Sequence, residues 1–485
     1  MASPLFFLLL ITLSISHPSS QMILLPLTHS LSKTQFNTTH HLLKSTTTHS
    51  TSRFHHHYKN HHQLSLPLSP GTDYTLSFNF GPYSQPITLY MDTGSDLVWF
   101  PCTPFNCILC EFKPNPSPSS SSPPTNISHS TPISCNSKAC STAHNSVSSS
   151  DLCTMAHCPL DSIETKDCGS FHCPPFYYAY GDGSLIASLY HDTLSLSSLK
   201  FRNFTFGCAH TTFSEPTGVA GFGRGLLSLP AQLASHSPQL GNRFSYCLVS
   251  HSFRHERVRK PSPLILGRYE DEKQSNGDEV VEFVYTSMLD NPKHSYFYCV
   301  GLKGISIGKK MIPAPEILRR VNKRGDGGVV VDSGTTFTML PVGFYDSVVA
   351  EFDRRVGKVN RRASEIEMKT GLSPCYYLDA AAAVEVPAVT LRFVGVNSSV
   401  VLPRKNYFYE FLDGGDGVRR KERVGCLMLM NGGDEFEVSG GGPGAILGNY
   451  QQQGFEVEYD LEKKRVGFAR RKCASLWDRL NRDKN

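Results

Sequence analysis

The feature that most restricts what this chain can become is a short motif that occurs twice, half a chain apart. LYMDTGSDLVWF places Asp92, Thr93, Gly94 and Ser95 directly after an apolar run. VVVDSGTTFTML places Asp332, Ser333, Gly334 and Thr335 after another, 240 residues later. Each copy has a downstream run of small apolar residues ending in glycine: GVAG at Gly218–Gly221 and AILG at Ala445–Gly448, ending 129 and 116 residues beyond the respective aspartates. A single tetrad of this kind is usually a turn. Two, each after a strand-like run and each with an apolar-Gly partner, imply two lobes of one design, each contributing an aspartate.

The residue types explain one another. Glycine after Asp-Thr or Asp-Ser permits a tight loop at a strand end and close approach by an opposing loop. If the two loops meet on a pseudo-twofold axis, the hydroxyls of Thr93 and Ser333 brace the opposite backbone. Ser95 and Thr335 then donate to the outer oxygens of Asp92 and Asp332. Two carboxyl groups about 3 Å apart cannot both ionise cheaply, so the pair shares a proton and titrates as a unit. Such a pair acts as base on a bound water while its acid form polarises a carbonyl. That hydrolytic chemistry needs neither a metal nor a covalent intermediate.

From Tyr74 onward, short β-type runs (YTLSFNF, ITLYM, VVEFVY, AVTLRF, FEVEYD, RVGFA) alternate with Gly, Pro, Asn and Ser clusters, which predicts a mostly antiparallel all-β protein. Helical patterns are few. PVGFYDSVVAEFDRRV spaces Phe344, Val348, Phe352 and Val356 four apart and predicts one helix face. The Ser/Pro-rich stretch Lys113–Ser150 reads as a stapled surface excursion with little core. His251–Asp278 reads as a second polar insert, with a lobe boundary near its end. GFGRGL at Gly221–Leu226 opens no βαβ unit and carries no nucleotide-binding reading. The basic runs Arg254–Lys260 and Arg354–Arg362 read as solvated surface.

Charge excludes other classes. The chain carries 47 Lys and Arg against 42 Asp and Glu, and four of the basic residues (Lys33, Lys44, Arg53, Lys59) lie in the first 62 positions, which hold no acid. The body is near neutral, unlike a protein that binds nucleic acid through phosphates. Only Pro4–Ile15 is strongly apolar, and it reads as a secretory leader. Residues 17–62 hold ten of the 20 histidines. With no Cys or carboxylate interleaved, they read as a removable basic pro-segment lying over an acidic cleft rather than as a metal tract. Fifteen cysteines, nine of them between Cys102 and Cys173, point to oxidising export. Sequons at Asn37, Asn126, Asn203 and Asn397 agree, and no lipid-anchor signal ends the chain.

These motifs resemble the pepsin-type aspartic proteases, and most closely the plant nepenthesin-like branch, from about Gln63 to Cys473. DTGSDLVWFPC followed by a cysteine-rich insert, FYYAYGDGS resembling the flap, and ILGNYQQQGFEVEYDLEKKRVGFA resembling the C-terminal strands carry the likeness. The resemblance implies a bilobal all-β fold, with two pseudo-twofold-related lobes and an active-site cleft between them. It makes Asp92 and Asp332 the catalytic pair of an acid endopeptidase, a monomer acting on peptide or protein substrates without cofactor or metal. The flap tyrosine falls on Tyr178, with Tyr180 as the competitor; a packed strand aromatic is the plain alternative for either. The layout is a signal peptide over 1–20, a His-rich pro-segment over 21–62, an N-terminal lobe with the insert over 63–278 and a C-terminal lobe over 279–485. The destination is extracellular or cell wall, with vacuole or plastid as further possibilities.

Twelve cysteines are usual in that branch, so three are surplus here. The resemblance suggests the pairs Cys375–Cys426 and Cys247–Cys473. It leaves Cys299 and two of Cys153, Cys158, Cys168 and Cys173 over, and an odd total leaves at least one thiol unpaired. A zinc site from the last four cysteines and nearby His is the weaker reading. The branch also includes xylanase-inhibitor-like members. A catalytically silent binding protein is therefore the competing function, since fold alone does not establish activity. Such members typically carry damaged catalytic motifs, and both motifs here are intact.

Overall fold

The structure is a computed structural model and describes residues 22–29, 39–56, 74–110, 124–180, 183–197, 199–213, 217–250, 261–267, 282–379, 385–413, 422–433 and 442–482. The leader run, Asn37, His61, His62 and the basic run Arg254–Lys260 lie outside the described residues.

Each lobe is built around one repeated pairing scheme. In the first, Gln85–Asp92 runs parallel to Val219–Gly221, with Asp92 opposite Gly221. Val219–Gly221 is in turn antiparallel to Val98–Ile108, which lies parallel to Leu199–Phe213. In the second, Val329–Val331 runs parallel to Ala445–Leu447, with Val331 opposite Leu447. Ala445–Leu447 meets Thr338–Leu340 antiparallel, and that strand lies parallel to Leu429–Asn431. The bilobal all-β architecture expected from the sequence is present. The parallel pairs explain the apolar-Gly partners: the strand end must slot against the Asp loop. A Cβ on Gly221 would stand 2.6 Å from the Leu97 nitrogen, and one on Gly448 would stand 2.5 Å from the Thr336 oxygen, so only glycine fits either place.

A third sheet joins the halves. Its antiparallel order is Met22–His29, Ser262–Gly267, Arg243–Cys247, Phe455–Asp460, Arg465–Arg470 and Val284–Leu289. One expectation changes here. The region read as a polar insert contains Ser262–Gly267, all six residues of which are buried; its apolar PLILG run is short and masked by charged neighbours in composition. The expected pro-segment contributes Met22–His29, whose Ile23, Leu25 and Leu27 join the main core. It also contributes the helix Thr39–His56, laid on Ser364–Thr370 of the second lobe. There Leu42 and Leu43 are buried, Thr47 Oγ1 donates to the Thr370 carbonyl at 2.7 Å, and His40 meets Asp413 at 3.2 Å.

The helix expected within PVGFYDSVVAEFDRRV forms over Val342–Val356 and buries Phe344, Val348, Phe352 and Val356. The basic run at its end is consumed within the molecule: Arg354 and Arg355 bond Glu351, and Arg362 bonds Asp353 and Glu367. The cysteine-rich insert has more structure than its composition suggests. Lys138–Ala143, Ser149–Met155 and Leu160–Thr165 are short helices; the hydroxyls of Ser137 and Ser148 cap the first two. The buried residues of the first two form a small core with Trp99, Phe176, Tyr178 and Tyr180.

Candidate active site

The two Asp loops meet at the interface of the lobes through a reciprocal set of hydrogen bonds. Thr93 Oγ1 donates to the Val331 carbonyl at 3.1 Å and accepts from the Ser333 amide at 2.8 Å. Ser333 Oγ donates to the Met91 carbonyl at 3.1 Å and accepts from the Thr93 amide at 3.1 Å. Each loop thus completes the other's backbone, and the symmetry of the bonds mirrors the symmetry of the sequence.

The carboxyl groups are held the same way on both sides. The Gly94 amide donates to Oδ1 of Asp92 at 2.9 Å and Ser95 Oγ to Oδ2 at 2.5 Å. The Gly334 amide donates to Oδ1 of Asp332 at 2.8 Å and Thr335 Oγ1 to Oδ2 at 2.5 Å. A methyl group built on Gly334 would lie 2.3 Å from Oδ1 of Asp92 and 3.3 Å from Oδ1 of Asp332, so the inner oxygens face one another across that glycine. Both aspartates are fully buried. Burial first, and the neighbouring Asp332 charge second, hold the Asp92 carboxyl well above the usual carboxylate range, against the opposing pull of Ser95 and Gly94. Beside it, burial pushes Asp96 up to about 6.

Backbone clasps fix the loops from below. The Phe222 amide donates to the Asp92 carbonyl at 2.7 Å, and the Asp332 amide to the Leu447 carbonyl at 3.1 Å. A polar layer that the motif search missed lies behind Asp332. Gln452 Nε2 donates to the carbonyls of Asp332 (3.1 Å) and Leu447 (2.8 Å), and Asn449 Nδ2 donates to that of Ser333 (3.0 Å). Tyr246 bonds Gln452 and meets Tyr459 at 2.8 Å. The uncharged QQQ run after AILG was the available signal, because buried amides are retained where backbone groups need partners.

Thr93→Val keeps the side chain's shape but strands the Ser333 amide and leaves the Val331 carbonyl with only the Tyr459 hydroxyl, at 3.3 Å, as a side-chain donor. At about 1–3 kcal/mol for a buried polar group left unmatched, the variant is expected to lose roughly that much in denaturant unfolding, whereas Thr93→Ser stays close to the parent. Equal midpoints for Val and parent would remove the brace from the account.

Of the two flap candidates, Tyr178 sits inside the strand Phe176–Ala179, opposite Leu185. Tyr180 stands one residue beyond the strand, and its hydroxyl accepts from Trp99 Nε1. The disulfides are Cys102–Cys208, Cys107–Cys110, Cys135–Cys168, Cys140–Cys173, Cys247–Cys473 and Cys375–Cys426. Cys168 and Cys173 are thereby committed elsewhere, which dismantles the zinc reading. Cys140, His144 and Cys173 do cluster within 4.8 Å, but the disulfide removes both thiolate ligands. Asn126, Asn203 and Asn397 are all exposed. No helix among the described residues is long and apolar enough to cross a membrane.

The chain matches the family models described as xylanase inhibitor N-terminal, over residues 74–268, and xylanase inhibitor C-terminal, over residues 297–470. It is 64% identical over 433 residues to a probable aspartyl protease of Arabidopsis thaliana, covering 86% of this chain and 85% of that one. It is 28% identical over 412 residues to the aspartic proteinase nepenthesin-1 of Nepenthes gracilis, covering 83% and 78%. Among solved structures, conglutin gamma, a basic 7S globulin from lupine seeds, shares the fold with a TM-score of 0.57 at 16% identity, over 93% of this chain and 95% of that one. Paired Asp loops on a bilobal frame, together with such close identity along most of both chains, place this protein in the pepsin-like aspartic endopeptidase family, in the plant branch that includes the nepenthesins.

Proposed function

We propose that the protein is an exported acid endopeptidase in which Asp92 and Asp332 jointly activate water against a peptide carbonyl. The observation that carries this reading is the reciprocal bracing that turns two buried carboxyl groups toward each other across Gly334. With one proton between them, the ionised carboxylate takes a proton from the attacking water while the acid form gives its own to the carbonyl oxygen. Collapse of the tetrahedral diol passes a proton to the leaving amine and returns the pair to its starting state. Both carboxyls are shielded, so substrate enters as the hairpin that carries Tyr178 and Tyr180 lifts. We assign the flap role to Tyr180 rather than Tyr178, because its bond to Trp99 ties the hairpin's end to the strand that follows the first Asp loop.

The pH dependence follows from the shared proton. The raised Asp92 keeps the pair singly protonated to higher pH than an ordinary carboxyl would, and activity falls as pH rises through that elevated value. It falls again in strong acid, when the second carboxyl is protonated. Digestion of a denatured protein across pH is expected to give a bell on the acid side of neutrality, abolished by a peptide-like inhibitor directed at the aspartate pair. A maximum above neutral pH, or insensitivity to the inhibitor, contradicts the reading. Six disulfides support passage through an oxidising compartment.

The family models' descriptions and the seed-globulin fold favour a second reading, a binding or inhibitory protein on this frame. Under it, digestion gives no cleavage at any pH, and Asp92→Asn leaves partner binding untouched.

A further inference from the structure

Three of the fifteen cysteines are outside the six disulfides: Cys153, Cys158 and Cys299. Cys299 is fully buried in the second lobe, where its strand pairs with Val329–Val331. The other two lie together at the end of the helix Ser149–Met155 in the insert. Past that helix, His157 takes a positive φ of 55° and its amide donates to the Thr154 carbonyl at 3.1 Å. The next amide, that of Cys158, reaches back to the Cys153 carbonyl at 3.0 Å. These paired bonds are a Schellman motif. The motif brings the side chain of the third residue from the helix end against that of the second residue beyond its cap. The contact is ordinarily apolar; here both positions are cysteine.

Burial first, and the neighbouring Cys153 thiol second, push the Cys158 thiol up. Cys153 is 0% and Cys158 8% exposed. They sit in the same small core as the bonds Cys135–Cys168 and Cys140–Cys173 and the rings of Trp99, Tyr178 and Tyr180. Every other cysteine of the insert is already paired.

We propose that Cys153 and Cys158 close a seventh disulfide that staples the end of this helix and leaves Cys299 as the one thiol of the chain. The step is an exchange with a dithiol–disulfide oxidant of the export route, either a protein disulfide or glutathione disulfide. One cysteine thiolate attacks the oxidant's disulfide and expels one of its sulfurs as a thiolate. The other cysteine thiolate then displaces the second sulfur. Two protons and two electrons leave the pair, and the oxidant gains them as two thiols. The bridge would lie in the same small core as Tyr178 and Tyr180.

The test is a thiol count on the full chain, made in a secretory host, alkylated in denaturant without reductant and mapped by mass spectrometry. One labelled thiol per molecule is expected, located at Cys299. Cys153→Ser and Cys158→Ser should each raise the count to two, the double variant should return it to one, and Cys299→Ser should bring it to zero. Three labelled thiols in the parent, or a peptide linking Cys299 to either of the pair, overturns the proposal. The parent count needs no variant to fold, and it is independent of whether the protein is catalytically active.

Discussion

Asp92→Asn is expected to lower kcat/KM for a peptide substrate at acid pH by at least about 10³-fold, within the range of roughly 10²–10⁴ that positioned acid–base groups supply. The substitution is nearly isosteric. The Asn oxygen still accepts from the Gly94 amide, and the brace through Thr93 and Ser333 is untouched, so the loss is chemical rather than architectural. A second measurement separates the two. In the parent, Asp92 binds its proton more tightly folded than unfolded, so stability falls as pH rises through the window above the ordinary carboxyl value. Asparagine carries no such penalty. The variant is therefore expected to unfold at a higher temperature than the parent near neutral pH, with the difference closing in acid. Cleavage at the parent rate would end the assignment of Asp92, and a variant less stable than the parent near neutrality would show that the two carboxyls do not repel.

Removing everything before Tyr74 is expected to cost most of the protein's stability. Ile23, Leu25 and Leu27 are 3%, 5% and 1% exposed in the main core, and Leu24 packs with Cys247, Ile265 and Cys473. At about 1.5–3 kcal/mol for each large aliphatic side chain buried, the four contribute roughly 6–12 kcal/mol, similar to the whole net stability of about 5–15 kcal/mol. Deletion also bares Ser262–Gly267, whose residues are all buried, as a new apolar edge. Aggregation, or a melting temperature lower by roughly 10 °C or more, is the expected result, with Leu27→Ala a milder loss of about 2–5 kcal/mol. Unchanged melting of the chain beginning at Tyr74 would show that the strand only decorates the sheet. The proposed removable segment therefore carries a structural load, and any maturation cut must leave that slot filled.

The sequence revealed what repeats or recurs at short range. The Asp loops were legible because two copies with glycine-ended partners restrict each other, and the helix Val342–Val356 because four apolar residues recur every fourth position. What stayed hidden came from elsewhere. Tyr246, Gln452 and Tyr459 are brought together from positions more than 200 residues apart, and no local pattern reports that. Tyr178 and Tyr180 share the same strand parity, so alternation could not separate them, and the proposed choice of Tyr180 rests on its bond to Trp99. The insert's helices span six or seven residues, too short for a helical period to register. Met22–His29 lay inside the His-rich pro-segment, whose composition over some forty residues hides a single apolar strand.

Because each half of the molecule supplies a single aspartate, and Thr93 needs Ser333 to hold its own loop, the pair cannot assemble until the second tetrad has been made. A nascent chain that ends anywhere before the second tetrad has one ordinary acid and nothing to share its hydrogen ion with. Under the proposed function, the cutting edge therefore exists only once both tetrads have been translated.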